Sequence, residues 1–236
     1  MQDLKDRGIN AKIQDLVVTS YVPATLSYVE YENKTSGCGA CTNTGIGMMQ
    51  VILPNKVFKE AEKLALIGED AYSTITRYIR KKAKNKTVKT FYNSVSVATL
   101  SALSYRLINK KYLEEDGYTL IEGNLTEGPS IQWLKRVTEK DSTITFVGFA
   151  YAAFPHLVKE ARELRCLEIL NSRAFKVVSL KGLKPRIKVY DNPKHALEDT
   201  DVVLITGMTI PNETLHNILE NCKNARIKIL YGPSCS

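Results

Sequence analysis

Several things are missing from this 236-residue chain. No apolar run approaches the roughly 20 residues that cross a bilayer, so no membrane-embedded segment is expected. The amino-terminal MQDLKDRGINAK has neither an apolar core nor a small-residue cleavage site. It does not read as a signal peptide, and a cytoplasmic location is the expectation. There is no G-x-S-x-G, no P-loop and no H-E-x-x-H, so the signatures of α/β-hydrolases, P-loop nucleotidases and zinc peptidases are absent. Cysteine is scarce, five residues in all. An odd number without a secretion signal argues for reduced thiols rather than a disulfide framework.

What is present is ordinary for a globular protein: 44% hydrophobic and 25% charged residues, enough to bury one or two cores. The formal charge is +8. Its one dense cluster, RKKAKNKTVK from Arg80 to Lys89, is expected at the end of a helix and in the turn after it, where cations complement the helix dipole. No basic–aromatic interleaving of the kind that stacks bases is visible, which argues against nucleic acid. An anionic small ligand suits the charge equally well.

The first third reads as strands followed by helices, an α+β pattern. Ala24–Tyr31 and Ile46–Leu53 are expected strands, separated by a Gly/Cys/Thr loop from Thr35 to Gly45. The apolar spacing then predicts two amphipathic helices, one carrying Val57 to Ala65 and one Ala71 to Ile79. Asn93–Asn109 is small and apolar on nearly every side, which predicts a buried helix capped by Asn93-Ser94, with free N–H groups at its start. The Gly-bearing polar stretch 110–127 is the expected boundary between a domain over 1–115 and a second over 116–236.

From residue 143 strands and helices alternate, the pattern of a parallel sheet. Expected strands are Thr143–Phe149, Cys166–Leu170, Arg186–Tyr190, Val202–Ile205 and Arg226–Tyr231. Expected helices are Pro155–Leu164, Pro193–Glu198 and Asn212–Cys222, with a short one at Pro129–Val137 before the first strand. In the order 3-2-1-4-5 the first and fourth strands are neighbours, and ligands bind where the chain reverses between them. The loops 148–154 and 206–212 therefore face a shared crevice. The first lacks G-x-G-x-x-G: Gly148 is followed by Phe149, Ala150 and Tyr151, too bulky for a pyrophosphate to approach the backbone. Asn171 ends the second strand where dinucleotide-binding sheets place an acid, yet it can accept one hydrogen bond.

In the second loop, Thr206, Gly207, Thr209 and Asn212 place hydroxyls, a glycine and an amide at an expected helix start. Local capping or a ligand would each explain them. Ser234, in a Gly-Pro-Ser turn, follows the last strand at the same edge. Cys38 and Cys41 form one C-x-x-C, and His156 opens the expected first crossover helix; these three are the candidate metal ligands. A closed zinc site needs four, and no second pair has suitable spacing.

The block DVVLITGMTIPNETLHNIL followed by ILYGPSCS resembles the heavy-metal chelation family of two-domain prokaryotic proteins. Its pattern is an aspartate-led strand, Thr-Gly-x-Thr, an Asn and Thr opening a helix, and a Gly-Pro-Ser turn. Here these are Asp201, Thr206-Gly207-Met208-Thr209, Asn212, Thr214 and Gly232-Pro233-Ser234. The resemblance extends to SVSVATLSAL, with Ser101 where asparagine is usual, and to TITFVGF. It implies an enolase N-terminal-like α+β domain, a Rossmann-like domain and a site in the cleft between them.

The expectation is thus an α/β protein, a binder or an enzyme, that holds a small anionic or metal-chelating molecule. Asn93, Ser94, Gly148, Phe149, Asn171, Thr206, Gly207, Thr209, Asn212 and Ser234 would line the site. A metal ion or a nucleotide-like ligand is the open choice of cofactor. The alternatives are a transferase using a nucleotide or adenosyl cofactor and a basic nucleic-acid binder; a homo-oligomer is left open.

Overall fold

A computed structural model describes residues 13–21, 34–42, 46–53, 57, 64, 66–107, 110–119, 138–139, 141–148, 161–168 and 187–232. The chain forms two units. One comprises 1–120, 207–213 and 232–236, the other 121–206 and 214–231.

In the first unit, β1 (Ile13–Tyr21), β2 (Lys34–Thr42) and β3 (Ile46–Leu53) form an antiparallel sheet in that order. The expected strand Ala24–Tyr31 lies outside the described residues. The expected loop Thr35–Gly45 is instead mostly the central strand β2, with Cys38 opposite Val18 on one side and Met49 on the other. KTSGCGACT carries almost no β-forming side chains. Its strand character comes from pairing on both edges, a tertiary effect that propensity does not see.

Two helices follow, the second packed on the sheet and the first packed on the second. α1 (Ala71–Arg80) starts where the Asp70 carboxylate accepts the Ser73 N–H at 2.8 Å. It buries Ala71, Tyr72, Ile75 and Tyr78 and leaves Ile79 exposed. α2 (Lys86–Ser104) starts at Asn85, whose side chain accepts the Val88 N–H at 3.0 Å. That is well before the expected start at Asn93, so Asn93 and Ser94 lie in the helix interior and are not its cap. Buried Ser94, Ser96 and Thr99 return their hydroxyls to the carbonyls of Thr90, Tyr92 and Val95, which satisfies them inside an apolar packing surface. α2 meets β3 at Gly47, where a β-carbon would lie 2.1 Å from the Ala98 carbonyl oxygen and 2.3 Å from the Ala102 nitrogen. The small residues of α2 are therefore small because backbone meets backbone. A short α3 (Lys110–Glu115) occupies part of the expected boundary stretch.

The second unit is a five-stranded parallel sheet: β4 (Thr143–Val147), β5 (Glu163–Leu167), β6 (Ile187–Tyr190), β7 (Val202–Thr206) and β8 (Ile227–Tyr231). Its order is β6-β5-β4-β7-β8, the expected 3-2-1-4-5. One face buries Ile144, Phe146, Leu164, Cys166, Val202 and Leu204. The other buries Val147, Leu167, Val203 and Ile205 against Ala196 and Leu197 of α4 (Pro193–Leu197) and Ile218 of α5 (Leu215–Asn221). β5 begins three residues earlier than expected, so Glu163 and Leu164 are strand and not the end of a helix. The remainder of the expected helix Pro155–Leu164 falls mostly outside the described residues.

Two local devices hold the sheet's amino edge. The Thr143 N–H donates to the Asp201 carboxylate at 2.7 Å, while Asp201 N–H returns to the Thr143 carbonyl at 3.0 Å. The aspartate that leads β7 thus pins β7 to β4. Glu163 accepts from Lys188 on β6 at 2.8 Å and from Arg165 at 2.6 Å, and its carboxyl is held below the usual range, chiefly by the Lys188 hydrogen bond. Among the described residues no helix is long and apolar enough to cross a membrane.

Gly47→Ala is expected to destabilise the protein by about 3 kcal/mol, because neither backbone can withdraw; urea denaturation measures it. Glu163→Gln tests the strand-edge ion pairs. A depressed carboxyl contributes stability above its unfolded value of about 4.3 that is lost as pH falls through the folded value. The variant should lose roughly 1 kcal/mol at neutral pH and show a shallower acid-side decline in denaturation midpoints.

Candidate functional site

The carboxyl edge of the parallel sheet is where the order 3-2-1-4-5 brings β4 and β7 to their ends as neighbours, Val147 opposite Ile205. Gly148 follows β4 with φ +81°, a left-handed conformation. A β-carbon there would lie 2.8 Å from the Thr206 γ-methyl. Glycine is required twice over, by its dihedral and by the width of the gap. Gly148 is also held from both sides. Its N–H donates to the Leu167 carbonyl at 3.0 Å, and its carbonyl accepts from the Tyr231 hydroxyl at 3.4 Å. Tyr231, at the end of β8, reaches past β7 to do this. It was not among the residues singled out from the sequence, although its place as the last residue of an apolar strand at the same edge is a legible signal.

Beyond Thr206 the chain enters the first unit. Gly207–Thr209 is one 3-10 turn against β3. Overlapping turns follow: Ile210 N–H to Gly207 O, Asn212 N–H to Met208 O and Glu213 N–H to Ile210 O. Asn212 was expected to open a helix. It lies instead within these turns, and α5 begins only at Leu215, after Thr214, whose side chain makes no capping bond. Pro211 and the left-handed Glu213 (φ +59°) explain the delay, since a residue preceding proline avoids the helical region and Glu213 leaves it.

The turns are fastened by Asn93. Its buried amide, 7% exposed, donates to the Pro211 carbonyl at 2.9 Å and to Glu213 Oε1 at 3.0 Å. Lys89, one helical turn earlier on α2, lies 3.9 Å from the same carboxylate oxygen. Asn93 is therefore joined to the 207–213 segment through its side chain and not through a free helix start. Ser94 is turned the other way, bonded to Thr90 O at 2.7 Å. The partners of Asn93 carried no sequence signal, being more than 110 residues distant.

Thr206 and Gly148 thus stand together at the sheet edge, while Gly207, Thr209 and Asn212 stand with Asn93 in the first unit. Phe149, Asn171, Ser234 and His156 lie outside the described residues. Cys38 and Cys41 fall within the backbone of β2 rather than in the expected loop. Among the described residues no group of three or more His, Cys, Asp or Glu is placed to hold a metal ion. His195 and His216 are exposed on α4 and α5. Cys166 and Cys222 are buried, and burial raises their thiols above the ordinary range.

Residues 131–236 match the model of the DUF364 family, described as "Putative heavy-metal chelation". No curated protein matches. Two solved structures of DUF364 proteins of unknown function share the fold. One, from Pyrococcus horikoshii, has a TM-score of 0.57 at 14% identity, over 99% of this chain and 76% of that one. The other, from Desulfitobacterium hafniense, has a TM-score of 0.51 at 16% identity, over 84% and 67%. The resemblance carried by the strand DVVLIT, the Thr-Gly-x-Thr turn and the closing Gly-Pro-Ser is thereby shown: over residues 131–236 this chain carries the DUF364 sequence pattern, on the fold of that family's solved members.

Proposed function

We propose that this protein binds a small anionic, metal-chelating molecule at the carboxyl edge of the parallel sheet, beside Gly148 and Thr206. The observation that carries this reading is the close approach of Gly148 to the Thr206 side chain, at the point where strand order reverses, the usual seat of ligands in open α/β sheets. The family description supports a guest that involves metal. The metal arrives with its chelator, because among the described residues no group of three or more His, Cys, Asp or Glu is placed to hold it. A single glycine followed by Phe149, Ala150 and Tyr151 disfavours a dinucleotide.

The test is thermal denaturation of the full chain with nickel citrate, ferric citrate, free citrate, free metal ions, ATP and S-adenosylmethionine. A chelate at 100 times its Kd should stabilise by about 2.7 kcal/mol, roughly 5–10 °C for a chain of this size. Thr206→Val should abolish most of that shift while leaving the unliganded midpoint within about 2 °C. A shift with ATP or S-adenosylmethionine alone would replace the proposal with a transferase. An equal shift with free metal would mean the protein supplies the ligands itself, and no shift with any compound would discard the site.

A further inference from the structure

The start that local sequence favours for α5 and the start it has are different. Asn212 carries the amide of a good N-cap, and Glu213 would place a carboxylate in the first turn. Pro211 would then stand outside the helix, where it removes no helical hydrogen bond. The observed α5 forgoes these advantages. It begins at Leu215 with no acidic residue in its first turn, behind Thr214, whose side chain makes no capping bond. Glu213 meanwhile takes a left-handed backbone, φ +59°, which is unfavourable for a residue with a β-carbon and free of penalty only for glycine.

A backbone of this kind persists where its surroundings over-determine it. Here the surroundings are α2. The buried Asn93 amide holds the Pro211 carbonyl at 2.9 Å and Glu213 Oε1 at 3.0 Å. Lys89 lies 3.9 Å from the same oxygen, and its ammonium also donates to the Ile79 carbonyl in α1. The Glu213 N–H closes a turn on the Ile210 carbonyl at 3.1 Å. The Glu213 side chain is 61% exposed, so its letting go uncovers little that is not already in water. The division between the units falls at this residue: Gly207–Glu213 belongs to the first and Thr214–Tyr231 to the second.

We propose that Glu213 is the pivot of a two-state strap. In the clasped state Asn93 and Lys89 hold Glu213 left-handed and α5 is short. In the released state those contacts open, Glu213 turns right-handed, and α5 extends back to a cap at Asn212. Hydrogen bonds are exchanged rather than lost. The Glu213 N–H gives up the Ile210 carbonyl. The His216 and Asn217 N–H groups, which stand in the first turn of α5 and have no acceptor within it, gain the carbonyls of Asn212 and Glu213. A held conformation beside a locally preferred alternative is what a bistable element requires. The strap begins at Gly207, directly after Thr206 at the end of β7, so the switch sets how firmly the chain leaving β7 is held. It does not depend on the small-molecule reading.

Two substitutions at this one exposed position separate the states. Glu213→Ala and Glu213→Gly both delete the carboxylate that Asn93 and Lys89 hold, yet their backbones prefer opposite states. Relative to glycine, alanine loses about tenfold in the left-handed region and gains about fivefold in a helix. The released-to-clasped ratio should therefore be about fiftyfold higher in E213A than in E213G. Amide hydrogen exchange and α-carbon chemical shifts of the full chain, read by NMR, measure it. In E213A the His216 and Asn217 amides should gain protection, and the shift at position 213 should move to helical values. In E213G neither should change. N212A/E213A lacks the new cap and should give back most of the gain. N93L removes the donor itself and should act as E213A does; should it melt at lower temperature, the pair at position 213 decides. Identical behaviour of E213A and E213G would overturn the proposal. So would loss of protection through 207–214 with no gain at His216 and Asn217, or a gain in E213A that survives N212A intact.

Discussion

The approach of α2 to β3 at Gly47 governs the first unit. Two backbones in contact leave no room for a β-carbon, and the helix must then present Ala98, Ser101 and Ala102 along that line. Such a helix has little amphipathic character, and the polar atoms of its buried hydroxyl residues are not sent to solvent. They are returned to its own carbonyls by Ser94, Ser96 and Thr99. The close approach also fixes the rotation of α2 about its axis, which fixes where Asn93 points. The clasp on Pro211 and Glu213 is thus a consequence of a missing side chain on β3.

The second unit obeys a different constraint. Its central strands β4 and β7 are largely buried on both faces, so apolar residues dominate them, and the fully buried Thr145 hydroxyl is satisfied by the Ala196 carbonyl. The two strands are pinned at the amino edge by Asp201 and squeezed at the carboxyl edge by Gly148 against Thr206. The carboxyl edge is thus framed by strand ends, and the Tyr231 hydroxyl extends that frame to β8.

The parallel sheet was legible in the sequence because continuous apolar runs such as TITFV and VVLIT admit little else. Strand order is an assumption at the level of sequence, 3-2-1-4-5, and it is the order the sheet has. β2 was not legible, since glycine, serine and cysteine form a strand only when both neighbours hold it. The start of α2 was hidden because KNKTVK shows no apolar period; its cap is Asn85, and its burial begins only at Thr90. At the site, Gly148 and Thr206 stood out by position. Asn93 reads as a helix cap in the sequence, yet it lies inside α2 and acts as a side-chain donor to Pro211 and Glu213. Asn and Thr favour a helix start at Asn212, whereas Pro211 and the left-handed Glu213 postpone it to Leu215.

The clasp also bears on the order in which the molecule can be completed. Asn93 leaves the ribosome 118 residues before the Pro211 carbonyl it needs and 120 before Glu213. At about 5–20 residues per second, that is an interval of roughly 6 to 24 seconds during which a buried amide has no native partner. The strands β4 to β7 are all synthesised within it. The first unit to emerge is therefore the last to be finished, and its final hydrogen bonds are delivered by a segment that only the second unit's strand β7 can bring.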